Sequence, residues 1–254
     1  MSVLTSTKLI KFSVRNQSYI MKALLLLFII LIGHSDLPAQ DSSIVSIKAG
    51  YRVKEVLSTS QIYYYPQFIY GKVFLKDGSR AGAKLNYTRL YDQMLFIDPK
   101  GDTLALADEK TIKFIVVDND TLYFDEGYVR LIANYGEIKL AEKQLWVVAD
   151  FRKIGTHDTP KNTVAITTVS NLADPAGRAK SYDFLLNEDI IIRKETQYFL
   201  GDEYNHFVPA GKKKLLLLFP KDQLSIENYL KENKVNFDNK DDLEKLAQYL
   251  AKLH

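Results

Sequence analysis

Three consecutive tyrosines form the densest aromatic run of the chain, within Tyr63-Tyr64-Tyr65-Pro66-Gln67-Phe68. An exposed tyrosine offers a flat apolar face and a hydroxyl, so Tyr63, Tyr64 and Tyr65 are candidates for stacking on a sugar or anchoring a protein partner. The same residues also suit a strand, in which successive side chains point to opposite faces. In a strand, Tyr63 and Tyr65 would be buried and Tyr64 exposed.

A histidine and an aspartate are neighbours in the polar segment Gly155-Thr156-His157-Asp158-Thr159-Pro160. An imidazole titrates near neutral pH and a carboxylate is its usual partner, so His157 and Asp158 are candidate ligand-binding residues. Loops often carry functional sites, but most loops carry none. A solvated loop is therefore the alternative interpretation of this segment.

Motifs of known site classes are incomplete in this chain. Asp118-Asn119-Asp120 begins like a calcium-binding loop, but Tyr123 replaces the required glycine and Val129 the closing carboxylate. The segment Gly78-Ser79-Arg80-Ala81-Gly82 lacks the spacing of a nucleophile elbow. Both segments are interpreted as turns between strands.

A hydrolase with a dispersed site remains as an alternative, because catalytic carboxylates that pair in space leave no local motif. Asp118, Asp125 and Glu126 are the residues from which such a site could be assembled. A concave pocket in which two carboxylates converge would favour this interpretation.

The composition excludes several kinds of chemistry. The chain has no cysteine, which excludes disulfides, thiolate metal sites and a cysteine nucleophile. Beyond residue 40 the histidines are His157, His206 and His254, and none has a partner at the spacing of helical metal ligands. We therefore expect no metal site and no cofactor.

The net positive charge of the chain comes from its first 40 residues. They hold four basic residues against a single aspartate, so residues 41–254 carry 30 basic and 30 acidic side chains. A nucleic-acid-binding protein needs surplus positive charge to neutralise phosphates. We therefore expect no nucleic-acid partner, and the balanced charge gives no general attraction to an anionic membrane.

Residues 21–40 contain the three parts of a secretory signal peptide. Met21-Lys22 is a basic start, residues 23–32 are a ten-residue apolar core, and a polar region ends in Pro38-Ala39-Gln40. A membrane-spanning helix needs about 20 apolar residues, so this core is too short for a permanent anchor. Translation starts at Met1 or at Met21, since a complete signal peptide begins at Met21.

The leader predicts export to a bacterial periplasm or to the exterior. We expect cleavage near Ala39 or Gln40 and no stable membrane insertion after the leader is removed. Because there are no disulfides, the exported domain must be held together by its core alone.

The segment from residue 68 to residue 200 shows the alternation of half-buried strands. Val73 and Leu75 share one face, and Asp77-Gly78 supplies the tight turn of a hairpin. A second turn is predicted at Asp98-Pro99-Lys100-Gly101. The predicted strands after it cover residues 103–107, 112–117, 121–124, 128–133, 138–151, 190–193 and 196–200. Strands this close, with no helices between them, predict an antiparallel meander, a sandwich or an open barrel.

Three other segments flank or interrupt this β-rich body. Residues 41–67 form a lead-in segment of mixed character, and residues 152–187 form a polar excursion within the body. In the C-terminal segment, residues 201–254, the apolar period changes from two to three or four. We therefore predict a mainly β protein, α+β overall, with a small C-terminal helical pair.

The last helix is the clearest helical prediction. Its apolar stripe consists of Leu243, Leu246, Ala247, Leu250 and Leu253. Asn239 is the predicted N-cap, and Asp241 and Asp242 suit the first turn. Ile226, Tyr229 and Leu230 predict a shorter helix that begins near Pro220. The residues 215–219 are a five-residue apolar run, which is too short for a membrane and predicts a buried strand edge or helix entry.

Several segments together resemble a family of uncharacterised exported bacterial proteins. They are the leader, residues 70–78, 83–87 and 94–97, and the tail from Phe219-Pro220 to Tyr249-Leu250. The resemblance implies export and a β-rich fold, and it brings no activity with it. The sequence therefore favours a non-enzymatic binding or structural protein, whose partner is an envelope protein or a glycan.

We predict that the exported form begins at Gln40 or Asp41, because the leader ends in a small residue, Ala39, close to both positions. N-terminal sequencing of the protein recovered outside the cytoplasm measures this directly. A mature form that still contains residues 23–32 would contradict the prediction.

Overall fold

Within residues 43–152 and 185–253, which the computed structural model describes, eleven strands form one open antiparallel sheet. For Phe151 and Arg152 the backbone alone is described. The predicted leader and most of the polar excursion, including His157 and Asp158, lie outside the described residues. The described residues form one compact unit.

Most strands agree with the alternation in the sequence, but the predicted strands 190–193 and 196–200 are one continuous strand, β10. The strands are β1 (Ile44–Ile47), β2 (Ile69–Leu75), β3 (Arg80–Thr88), β4 (Gln93–Ile97), β5 (Thr103–Ala105), β6 (Ile112–Val117), β7 (Asp120–Phe124), β8 (Tyr128–Tyr135), β9 (Ile138–Arg152), β10 (Asp189–Gly201) and β11 (Phe207–Pro209). The α-helices are α1 (Val53–Val56), α2 (Thr59–Ile62), α3 (Lys212–Leu218), α4 (Gln223–Asn233) and α5 (Lys240–Leu250), and a 3-10 turn covers Glu109–Thr111.

The order of strands in the sheet is β1-β10-β9-β8-β7-β6-β2-β3-β4-β5, and β11 pairs with β10. The runs β6 to β10 and β2 to β5 are each a meander in which neighbours in sequence are neighbours in space. The two meanders join where β2 pairs with β6, and β1 pairs with β10 at one edge. The predicted antiparallel β body with C-terminal helices is confirmed, and the sheet is open.

Aspartates fix the tight turns through their side chains. Asp77 Oδ1 accepts hydrogen bonds from the backbone N and the hydroxyl of Ser79, at 2.8 and 2.7 Å. Gly78 has a φ of +90°, a conformation that favours glycine. Asp98 Oδ1 accepts from the backbone N of Lys100 and Asp102 in the same way. Both hairpin turns therefore form where the sequence predicts them.

The lead-in segment is part of the body, because β1 and the two short helices pack on β9 and β10. Ile47, Val53 and Trp146 are each only 1% exposed, and they share an apolar cluster with Ile192. The indole N–H of Trp146 donates to the carbonyl oxygen of Gln61 at 2.9 Å. This segment covers one end of the long β9–β10 pair.

The C-terminal helices cover the other end of the same pair. Their buried residues Leu215, Ile226 and Leu246 share a cluster with Ile138 of β9 and Leu200 of β10, and all five are 0% exposed. A short helix, α3, precedes the predicted helical pair, and it contains most of the apolar run 215–219. The run therefore lies mostly in a helix and not at a strand edge, and it is buried only in part, since Leu217 is 65% exposed.

Helix α5 has the predicted amphipathic pattern. Leu243, Leu246, Ala247 and Leu250 are fully buried. The side chain of Asn239 accepts from the backbone N of Asp242 at 3.1 Å, as expected of an N-cap. Leu253 lies beyond the last helical residue and is 37% exposed, so its inclusion in the stripe was wrong. Among the described helices, none combines the length and hydropathy needed to cross a membrane.

We predict that Leu246→Ala and Leu250→Ala each lower the free energy of unfolding by about 2–5 kcal/mol, because each leaves a cavity in a fully buried cluster. Gln248 is exposed on the opposite face, so Gln248→Ala is the matched control and should change stability by less than about 0.5 kcal/mol. Thermal and denaturant unfolding of the three variants measures the difference. Negligible shifts at both leucines would contradict the packing of α5.

Candidate functional site

The tyrosine run lies between α2 and β2, mostly in bends, and it does not form a strand. A single bridge pairs Tyr63 with Thr88 of β3. Tyr65 is 7% exposed, whereas Tyr63 and Tyr64 are half-buried. The expectation that Tyr64 projects into solvent was wrong, because two arginines cover its ring.

Asn86 of β3 holds the backbone of Tyr65 on both sides. Its side-chain oxygen accepts from Tyr65 N at 3.0 Å, and its amide N donates to Tyr65 O at 2.9 Å. The Tyr65 hydroxyl donates to Asp120 Oδ2 at 3.0 Å. Tyr65 therefore ties the lead-in segment to β3 and to β7, which gives it a structural role.

Arg130 of β8 is the centre of a half-buried charged cluster. Its guanidinium donates to Asp120 Oδ1 at 2.9 Å and forms a second ion pair with Glu142 of β9. The Tyr64 ring lies 4.8 Å from the Arg89 guanidinium and 5.3 Å from that of Arg130, both within cation–π range. The crevice beside this cluster has a volume of only about 10 Å³, the space of a single water molecule.

Burial changes the acid–base properties of this region. Burial raises the pKa of Tyr65, Tyr87 and Tyr128 far above the usual tyrosine value, and neighbouring carboxylates raise it further. Burial opposes the charge of Arg130, but the hydrogen bond to Glu142 and the other nearby groups outweigh it and raise the Arg130 pKa. The phenols therefore stay neutral and the guanidinium stays charged at physiological pH. These charge states preserve the hydrogen bond of Tyr65 to Asp120 and the ion pairs of Arg130.

The proposed carboxylates do not come together. Asp118 lies in the turn between β6 and β7, whereas Asp125 and Glu126 follow β7 at its other end. The separation along the strand is roughly 20 Å, at about 3.3 Å per residue. The structure therefore does not form a site from Asp118 with Asp125 or Glu126. His157 and Asp158 are outside the described residues.

A groove opens at the end of the β6–β7 hairpin that is remote from its turn, next to the loop between β10 and β11. Its volume is about 310 Å³, at the lower end of the range for small-ligand sites. Residues 123–125 form one side and residues 204–206 the other, and the exposed lysines Lys76 and Lys113 also line it.

The loop side of the groove is the more exposed. Tyr204 is 70% exposed, and a hydrogen bond to the Glu203 carboxylate raises its pKa. Asp202 accepts from the backbone N of His206 at 2.9 Å and lies 3.2 Å from its ring Nδ1. Asn205 has a φ of +67°, a left-handed conformation that asparagine tolerates better than most residues. The loop thus presents an aromatic ring and an imidazole that is oriented by a carboxylate.

The hairpin side of the groove is anchored to the sheet. The Tyr123 ring lies 5.2 Å from the ring of buried Phe207, and Asp125 Oδ2 accepts from Phe207 N at 2.8 Å. This bond joins the end of β7 to the start of β11, so it holds the two sides of the groove together.

Sequence reasoning missed this groove, since its two sides are some 80 positions apart in sequence and only the sheet brings them together. A weak signal was present in Tyr204-Asn205-His206, a polar stretch with an aromatic residue between two strands. Among the described residues, no group of acidic or histidine side chains could hold a metal ion. No protein-family model, curated protein or solved structure matches this chain.

We predict that stability falls as the pH rises above about 10, the usual tyrosine pKa. The unfolded chain releases its phenolic protons there, whereas Tyr65, Tyr87 and Tyr128 retain theirs in the folded state. The unfolded state then binds fewer protons, so the free energy of unfolding is unaffected below that pH and decreases above it.

Tyrosinate absorbance and circular dichroism, followed together during alkaline titration, measure this effect. Three tyrosines should ionise only as the secondary structure is lost, and Tyr65→Phe should reduce that number by one. Complete ionisation near pH 10 with an unchanged dichroism spectrum would show that these phenols are accessible.

Proposed function

We propose that this chain is an exported, non-enzymatic binding protein of the bacterial periplasm or exterior, which binds a glycan chain in the groove between Tyr123 and Tyr204. The observation that carries the proposal is the groove itself, about 310 Å³ in volume, whose lining includes the exposed ring of Tyr204 and the anchored ring of Tyr123. The signal-peptide pattern of residues 21–40 supports the exported location.

The chemistry of the groove suits a saccharide. A sugar ring has an apolar face of C–H groups and an edge of hydroxyls, so its recognition needs an aromatic surface together with hydrogen-bonding groups. Tyr204 and Tyr123 supply the aromatic surfaces. Asn205, His206 and the lysines supply donors and acceptors that can contact the hydroxyls. The groove is also open to solvent on the Tyr204 side, which suits a chain longer than one sugar.

The described carboxylates favour binding over hydrolysis. A glycosidase needs two carboxyl groups on opposite sides of the scissile bond, roughly 5–10 Å apart. Among the described residues that line the groove, Asp125 is the one carboxylate, and its Oδ2 already accepts a backbone hydrogen bond. The feature that favours a hydrolase is the contact between His206 and Asp202, since a carboxylate-oriented imidazole is a common general base.

Calorimetric titration of the mature protein with a panel of envelope oligosaccharides tests the proposal. We expect at least one to bind, and Tyr204→Ala to weaken its binding about tenfold, because an aromatic contact contributes roughly 1 kcal/mol or more. Tyr70→Ala is the matched control, since Tyr70 is 64% exposed and lies outside the groove.

The outcomes separate the two classes of function. If the Tyr204→Ala and Tyr70→Ala variants bind with equal affinity, the groove is not the binding site. If no oligosaccharide binds, the ligand is not a glycan. Release of new reducing ends during the incubation, lost in His206→Ala, would identify a hydrolase instead.

A further inference from the structure

The C-terminal helices carry another exposed surface, and none of its residues lines the groove. This surface consists of exposed Lys213, Lys214, Leu217, Lys221 and Leu224, and we call it the lysine–leucine patch. Leu224 is 79% exposed and Leu217 is 65% exposed, although both are large apolar side chains. The surface is therefore amphipathic, with two exposed leucines among exposed lysines.

The rest of α3 fixes the direction in which this patch faces. Leu215 is fully buried and Phe219 is 6% exposed, both in the cluster on β9 and β10. On a helix, Leu217 shares a face with Lys213 and Lys214, four and three positions before it. The burial of Leu215 therefore holds the three side chains outward on a rigid support.

Two contacts join the helices that carry Leu217 and Leu224. The side-chain amide of Gln223 donates to the carbonyl oxygen of Leu216 at 3.1 Å, which ties the start of α4 to the last turn of α3. Lys212 Nζ lies 3.2 Å from Glu227 Oε1 and also connects the two helices. Leu217 directly follows Leu216 in the chain, and Leu224 directly follows Gln223, so both exposed leucines lie next to the Gln223–Leu216 hydrogen bond.

Residues 212–227, which carry the patch, hold four lysines against Asp222 and Glu227, so this segment has a surplus of positive charge. Lys212 is paired with Glu227, but Lys213, Lys214 and Lys221 form no ion pair with a described residue. Residues 41–254 have no net charge as a whole, so any electrostatic attraction to this patch is local. Exposed charges more than about 10 Å away are screened at physiological salt, which makes this local surplus the relevant quantity.

We infer that the lysine–leucine patch docks reversibly on an anionic lipid surface. Leucines enter the boundary between headgroups and acyl chains, and lysines extend along it to reach lipid phosphates. A protein partner fits less well, because the centres of protein interfaces are enriched in aromatic residues and arginine and depleted in lysine. The patch has no aromatic residue and no arginine.

Co-sedimentation of the mature protein with lipid vesicles tests this inference. We expect binding to phosphatidylcholine vesicles that contain about one third phosphatidylglycerol, and several-fold less to phosphatidylcholine alone. The binding should decrease as salt is raised, since each lysine acts through a screened attraction. Equal sedimentation with both kinds of vesicle, or with neither, would overturn the inference.

Paired variants locate the binding surface. Lys213→Gln with Lys214→Gln should lower the partition coefficient about tenfold, and Leu217→Ser with Leu224→Ser should remove most of the binding. The matched controls are Lys72→Gln with Lys84→Gln, both exposed on the sheet, and Leu104→Ser, at an exposed position of β5. All these side chains are exposed, so unchanged melting temperatures should confirm that each variant folds.

The vesicle experiment is independent of the groove. Tyr204→Ala should bind anionic vesicles as the wild type does, whether or not it binds glycans. Controls that lose vesicle binding as strongly as the patch variants would overturn the assignment to this surface, and so would capture by an acidic protein with no vesicle binding.

Discussion

The thirteen-residue pairing of β9 with β10 is the constraint on which the rest of the described structure depends. Residues on one face of β9 alternate without interruption from Ile138 to Val148, since the irregularity in this pair lies beyond that point. Ile138 and Leu140 lie beneath the C-terminal helices, and Trp146 lies beneath the lead-in segment. Each cover buries its apolar side chains against these strands, so the β9–β10 pair supplies one wall of both clusters.

Between the two apolar ends, the same face of β9 becomes polar at Glu142 and Gln144. Glu142 pairs with Arg130, and Gln144 accepts from the side chain of Arg89 at 3.2 Å. Such a partly buried ion cluster adds little net stability, because its desolvation cost offsets much of the attraction. Its matched charges link β8, β9 and the tyrosine run at one place in the sheet.

Local patterns in the sequence were sufficient for most of the strands, their turns and α5. Each depends on neighbouring residues, as in Asp77-Gly78 and the Leu243–Leu250 spacing. The pairing of β1 with β10 and of β2 with β6 could not be predicted, because nothing local encodes which distant strands meet. The groove was missed for the same reason, and the burial of Tyr64 depends on arginines from β8 and from the residue after β3.

The pairing of β1 with β10 also has a kinetic consequence. Ile44 lies opposite Arg193, so β1 pairs with a strand almost 150 residues later in the chain. β1 therefore cannot form its hydrogen bonds before β10 is present. Contacts of such long range slow folding, whereas the C-terminal helices form from neighbouring residues. In a chain exported from its N-terminus, β1 would leave the membrane early and remain unpaired until β10 follows. In such a chain, completion of the sheet would depend on the arrival of β10.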